Sequence, residues 1–70
     1  MSVHKVIEIL AQSDKGWEDA ARNAVSEASE TVSNIKSIYI KDMQGIVKDG
    51  EIAEYRVNAK ITFGVRDVRE

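Results

Sequence analysis

The feature that most constrains this chain is a run of almost unbroken alternation between Glu51 and Arg66. Successive side chains of a strand point to opposite faces, so the run places apolar residues on one face and polar residues on the other. The apolar set is Ala53, Tyr55, Val57, Ala59, Ile61, Phe63 and Val65. The polar set is Glu54, Arg56, Asn58, Lys60, Thr62 and Gly64. The run predicts a long strand with one face to bury.

Two further strands are predicted upstream. Residues 35–48 are rich in β-branched side chains, which favour strands, and Gly45 in their middle predicts a bulge or bend. Asp49-Gly50 suits a two-residue type I′ turn, so the second and third strands form a hairpin. Residues 3–11 predict the first strand, and both of its faces carry apolar groups, which predicts cover on both sides.

A helix is predicted between the first two strands. From Trp17 to Val32 the apolar residues recur at intervals of three and four, which places them on one helical stripe. Ser13 is the expected N-cap, and Ser33 with Asn34 is the expected end. The order is therefore β-α-β-β in one domain, residues 1–70, and a parallel crossover from the first strand to the second is plausible.

The lengths of these elements predict an assembly. A strand of 14 residues spans about 46 Å, whereas a helix of 19 residues spans only about 28 Å. One helix cannot cover the apolar face of such a hairpin, so part of that face is expected to meet another chain. A 70-residue chain has a marginal core, and without Cys and with one His it has neither disulfides nor a histidine-rich zinc site to add stability.

Charge and motifs argue against several classes of function. Ten Lys and Arg against twelve Asp and Glu leave no basic stripe for nucleic acid. The sequence shows no membrane span and no signal peptide, so a cytoplasmic protein is expected. His4 has no spacing to a Ser and an acid that predicts a catalytic triad, and an enzyme is the least expected class. Trp17 is interpreted as a packing anchor.

Arg56 is the candidate binding residue. It lies in the middle of the third strand on the polar face, where its guanidinium offers a planar fork to a carboxylate, a phosphate or a ring carbonyl. In a monomer the same side chain would simply be solvated. The two interpretations stay open at this point.

Three pieces of sequence together resemble the dodecins over almost the whole chain. They are KVIEI at residues 5–9, Ser13 with the GWE and AA that follow it, and the stretch GEIAEYRV at residues 50–57. The resemblance implies a β-α-β-β subunit of the α+β class, with a three-stranded antiparallel sheet wrapped around one helix. It also implies a hollow homododecamer of cubic symmetry. An antiparallel sheet replaces the parallel crossover considered above.

The resemblance also implies a ligand. Flavin-binding dodecins hold paired flavins near subunit interfaces, with a Trp on the second strand stacked on the ring and a Gln on the third strand bonded to its edge. The corresponding positions are Ser37 and Arg56, which are therefore the expected cofactor-binding residues. Storage of FMN or riboflavin is the family default. The alternatives are a calcium-binding or other non-flavin variant, with unknown metal ligands, and a ligand-free structural assembly.

Overall fold

The computed structural model describes residues Ser2–Asp67, and it describes side chains from Val3 to Val65. The elements follow the order β1 (Ser2–Ser13), α1 (Trp17–Ala28), β2 (Ile35–Lys48) and β3 (Glu51–Asp67). This confirms the predicted β-α-β-β arrangement. The bounds of β2 agree with the prediction at both ends, and those of β3 differ from it by one residue.

The three strands form one antiparallel sheet in the order β1-β3-β2. The central strand, β3, pairs antiparallel with β1 on one side and with β2 on the other. Because both neighbours oppose β3, β1 and β2 run in the same direction without touching. The crossover through α1 joins strands of like direction, as first predicted, and the antiparallel sheet is confirmed because β3 lies between them and opposes both.

The start of the helix differs from the prediction. β1 continues to Ser13, and the N-cap is Gly16, which offers no side chain to the helix. The Ser13 hydroxyl instead accepts a hydrogen bond from the backbone N–H of Lys15 at 2.9 Å and donates one to Asp19 Oδ2 at 2.6 Å. Ser13 therefore fixes the turn between β1 and α1, and its expected role as N-cap was wrong.

The helix is also shorter than the predicted span to Val32. It ends at Ala28, where the Ser29 hydroxyl donates to the carbonyl of Ser26 at 2.8 Å. Ser and Thr have modest helix propensity because their hydroxyls compete for backbone groups, and Ser29 and Thr31 follow the last helical residue. The chain then turns through Asn34, whose φ is 65°. No helix within residues 2–67 is long and apolar enough to cross a membrane.

The core lies between α1 and the face of β3 that carries Ile61. The helix contributes only small side chains to it, which lets its backbone lie close to the sheet. The buried apolar residues, each at most 5% exposed, are Ala20, Ala24, Ala28, Val57, Ala59 and Ile61. The edges of the core are closed by partly buried apolar residues of α1, β1 and β2, which are Ile7, Ile9, Ala11, Val25, Ile35 and Ile38.

The β2–β3 hairpin closes through the predicted turn. Asp49 and Gly50 both have positive φ, 54° and 79°, as a type I′ turn requires. The expected irregularity at Gly45 is wrong, because Gly45 pairs regularly with Tyr55. The ladder shifts instead between Ile35 and Ser37, between Ile40 and Asp42, and between Ile46 and Val47.

The hairpin is much longer than the helix that covers it. The described part of the chain measures 57 × 20 × 13 Å, whereas a helix of 12 residues is about 18 Å long. Beyond the helix, the apolar side chains of Met43, Val47 and Ile52 are 64%, 66% and 45% exposed. The predicted mismatch between helix and hairpin is thus larger than expected.

Candidate functional site

The face of the sheet that points away from α1 carries most of the polar side chains; we call it the polar face. Its residues align across the three strands in rows set by the strand register. Four successive rows are Gln12–Arg56–Gln44, Leu10–Asn58–Asp42, Glu8–Lys60–Tyr39 and Val6–Thr62–Ser37. Residues of one row are lateral neighbours, and successive rows lie about 7 Å apart along the strands.

The polar face also carries apolar side chains, contributed by the two edge strands. Val6 and Leu10 of β1 are 56% and 61% exposed, and Tyr39 of β2 is 64% exposed. Cover on both sides of β1 was predicted, but the described residues cover only its helix-facing side. The exposed apolar groups on the polar face therefore remain to be covered by something other than the described residues.

Arg56 is held in place on this face by Gln12, which is itself held by Glu54. Its Nε donates a hydrogen bond to Gln12 Oε1 at 2.8 Å, and Gln12 Nε2 donates in turn to Glu54 Oε1 at 3.2 Å. The ion pairs formed by the described side chains are Arg22–Glu18 and Lys41–Glu8, and Arg56 takes part in neither. The guanidinium is thus oriented by a neutral amide and keeps its charge available.

A groove of about 290 Å³ lies beside Arg56 on this face. Its lining combines a cation, an anion, two amides and an apolar side chain, which are Arg56, Asp42, Gln44, Asn58 and Leu10; Met43 borders the groove, but its side chain lies on the helix-facing side with Val57. Asn58 Oδ1 is covered and has no hydrogen-bond partner among the described residues. The groove is therefore polar and chemically mixed, and its two charged groups lie on neighbouring strands.

Ser37 is exposed on the same face but lies far from Arg56. It pairs with Thr62, which lies six positions beyond Arg56 along β3, a distance of about 20 Å. The two expected cofactor-binding residues therefore do not meet within one chain. A site that uses both of them needs two copies of the chain.

The other residues considered from the sequence are Trp17 and possible metal ligands. The Trp17 ring packs edge-on against Tyr55, with centroids 4.8 Å apart, and its Nε1 donates to the backbone carbonyl of Gln44 at 3.1 Å. This confirms the interpretation of Trp17 as a packing anchor. Among the described residues no three His, Asp or Glu side chains come close enough together to hold a metal ion.

Sequence reasoning missed several residues around Arg56. It placed Glu54 and Asn58 beside Arg56 through the alternation of β3, but Gln12 lay beyond the predicted end of β1. Asp42 and Gln44 belong to another strand, and their position opposite β3 depends on the ladder shifts. A signal for Gln12 was present, since it continues the alternation of β1 by one further step.

The similarity to a known protein family extends over almost the entire chain. The family model for dodecin matches residues 3–66. The chain belongs to the dodecin family. A calcium dodecin from Mycobacterium tuberculosis is 33% identical over 66 residues, which is 94% of this chain and 93% of that protein.

Solved dodecin structures have the same fold. A dodecin from Streptomyces davaonensis matches with a TM-score of 0.88 and 29% identity, over 94% of this chain and 97% of that chain. A calcium dodecin from M. tuberculosis, described as having a novel calcium-binding site, matches with a TM-score of 0.80 and 30% identity over 99% of both chains. The expected membership of the dodecin family and the expected α+β fold are confirmed.

Proposed function

We propose that this dodecin-family chain is the subunit of a hollow homododecamer that binds and stores a small ligand between its subunits in the cytoplasm. The function is binding rather than catalysis. The observation that carries the proposal is the separation of about 20 Å between Ser37 and Arg56 on one polar face. Because of this separation, a ligand that contacts both residues would have to bind between two chains.

The exposed apolar side chains support the assembly. Large apolar groups are uncovered at the projecting end of the hairpin, at Met43, Val47 and Ile52, and on the polar face at Leu10 and Tyr39. Apolar surface of this extent on a small chain is typical of an interaction site, because each buried aliphatic side chain contributes about 1.5–3 kcal/mol. Other copies of the chain are the proposed cover.

Flavin is the first proposed ligand, with a modified mode of binding. Ser37 supplies no aromatic ring, but Tyr39 lies two residues further along β2 on the same face, and its side chain is 64% exposed. A Tyr ring presents a flat apolar surface on which a planar ligand stacks. Tyr39 therefore takes over part of the stacking, and Arg56 donates to an acceptor on the ring edge.

Flavin fluorescence tests this proposal. Assembled protein is titrated with FMN and with riboflavin, and quenching that saturates at micromolar protein is expected. Ser37→Trp should tighten binding about tenfold or more, because stacking on an aromatic contributes about 1–3 kcal/mol. Lys48→Trp, next to the hairpin turn, is the matched control and should leave the affinity unchanged. A dodecamer that quenches neither flavin would rule out the flavin part alone.

Calcium is the second candidate ligand, favoured by the 33% identity to a calcium dodecin. The described part of one chain brings no three acidic or His side chains together, so the carboxylates of a calcium site would come from several subunits around a symmetry axis. Calorimetry of assembled, EDTA-treated protein with CaCl₂ tests this, and a flat titration counts against it. Native mass spectrometry of protein from its own cells distinguishes either ligand from an empty shell.

A further inference from the structure

The groove beside Arg56 contains two opposite charges that do not pair with each other. Arg56 lies on β3, and Asp42 lies on β2 one row further along, opposite Asn58. Diagonal neighbours on one face of a sheet are about 7–8 Å apart, within reach of long side chains. Among the described side chains, however, neither Arg56 nor Asp42 belongs to an ion pair.

Arg56 stays apart from Asp42 because its hydrogen bonding directs it the other way. Its Nε donates to Gln12 on β1 at 2.8 Å, whereas Asp42 is on β2, on the opposite side of β3. Glu54, the acidic residue next to Arg56 on β3, accepts a hydrogen bond from Gln12 rather than from the guanidinium. The cation is therefore positioned across the groove from the anion, and each has unused hydrogen-bonding capacity.

The rest of the groove suits a small and partly apolar guest. Leu10 supplies an apolar wall, and Gln44 and Asn58 supply amides. Its volume of about 290 Å³ is at the lower end of the range for small-molecule sites, which runs from about 300 to 1,000 Å³. A ligand of few heavy atoms fits such a space.

We propose that this groove binds a small zwitterion of the amino-acid class, with its carboxylate on Arg56 and its ammonium group on Asp42. The Arg fork accepts a carboxylate through two parallel hydrogen bonds, and a carboxylate such as Asp42 accepts from an ammonium donor. The short methylene chain between the two charges lies against Leu10. A multiply charged phosphate is disfavoured, because Asp42 repels it.

This inference rests on the proposed function in one respect: Arg56 belongs to the proposed binding face. It differs in that all the residues that line the groove belong to one chain. Failure to bind flavin or to form a dodecamer therefore leaves it standing, and failure to bind a zwitterion leaves the flavin site and the assembly standing.

Calorimetry with 4-aminobutyrate as the probe tests the proposal on the full-length protein, whose oligomeric state is recorded by light scattering in the same buffer. Acetate and methylammonium, which each carry one of the two charges, are the comparison ligands. Saturable binding of 4-aminobutyrate is expected, at least about tenfold tighter than that of acetate or methylammonium, since hydrogen bonds to charged groups each contribute about a factor of ten.

Two substitutions separate the two ends of the groove. Arg56→Gln should weaken 4-aminobutyrate and acetate alike by about tenfold or more, whereas Asp42→Asn should weaken 4-aminobutyrate but strengthen acetate. Lys48→Gln and Asp49→Asn make the same changes of net charge at the hairpin turn, and both should leave binding unchanged.

Several outcomes would overturn the inference. It fails if 4-aminobutyrate does not bind, if it binds no more tightly than acetate, or if the two turn variants weaken it as much as the groove variants do. It also fails if Arg56→Gln and Asp42→Asn each lower the thermal stability of the ligand-free protein and the double variant lowers it no further. That result would show that the two charges pair with each other.

Discussion

The two halves of the β2–β3 hairpin both contain large apolar residues but have very different surroundings. In the half under α1, Val57, Ala59 and Ile61 are at most 1% exposed. In the projecting half, Val47 and Ile52 are 66% and 45% exposed, although both are large and apolar. Both halves carry large apolar side chains, so their apolar content alone does not tell which half one chain can cover.

The difference shows which part of the fold is complete within one chain. Three small residues of the helix, Ala20, Ala24 and Ala28, close one half of the sheet. The other half has the composition of a buried strand without an element to bury it. Substitutions in the covered half therefore test the fold of the single chain, and substitutions in the projecting half test the proposed assembly.

The largest expected effect is in the covered half. Ile61→Ala should lower the free energy of unfolding by about 2–5 kcal/mol, because it removes a fully buried side chain and leaves a cavity. Urea unfolding followed by circular dichroism measures this change.

Ile52→Ala is the matched substitution in the projecting half. In an isolated chain it should cost less than about 1 kcal/mol, because Ile52 is 45% exposed there. In an assembly that covers the projecting half, its cost should approach that of Ile61→Ala. An equal and small effect of both substitutions would contradict the distinction between the two halves.

A charge placed in the projecting half tests the assembly directly. Val47→Glu should shift the protein toward smaller species, because burial of an unpaired carboxylate costs several kcal/mol in each interface. Light scattering coupled to gel filtration measures the mass, and circular dichroism should show that the secondary structure is retained. Lys48→Gln changes the net charge equally at the next residue and should leave the mass unchanged. An unaltered mass for Val47→Glu would place the interface elsewhere.

A smaller effect is expected where β3 meets the segment after the helix. A Cβ added at Gly64 would clash with Asn34 Nδ2, and the Gly64 backbone N–H donates to the Asn34 carbonyl at 2.9 Å. Gly64→Ala should therefore cost about 1–2 kcal/mol in thermal unfolding. Asn34→Gly removes the obstructing amide and suits the φ of 65° at that position, so the double variant should regain part of the loss. No recovery would point to another contact.

The smallest effect is expected at the tip of the projecting half. Asp49 has a φ of 54°, a conformation that costs Ala about 1–2 kcal/mol but that Asn adopts readily. Asp49→Ala should lower the melting temperature slightly, and Asp49→Asn should leave it unchanged. Equal melting temperatures for both variants would show that the turn contributes nothing to stability.

Most of the fold was predictable because its strongest signals are local. Alternation along β3 and the Asp49-Gly50 pair determined the hairpin, and both bounds of β2 followed. The helix was predicted too long, because the apolar spacing continues to Val32 although Ser29 closes the last turn through its hydroxyl. The end of β1 was predicted too early. Ser13 is a residue type that favours helix N-caps, but here it ends the strand and its hydroxyl bonds to Asp19.

The site was predictable only along one strand. Alternation placed Arg56 on the polar face, and the dodecin resemblance singled out Ser37 on β2. The neighbours across the strands depend on register, and β2 has an extra residue between Ile40 and Asp42 that no sequence signal indicated. The groove between Arg56 and Asp42 therefore needed the structure, and so did the separation of Arg56 from Ser37.

The ladder shifts of β2 also affect how an unassembled chain can aggregate. The residues of β2 that fall out of register at the first two shifts are Lys36 and Lys41, so both of these bulges carry a positive charge. Bulges and lysines both prevent another strand from extending a sheet. The β1 edge has a single shift, between Val3 and His4, and is otherwise regular. Newly synthesised chains are thus protected against fibrous aggregation along β2, and β1 is the edge at which such aggregation would begin.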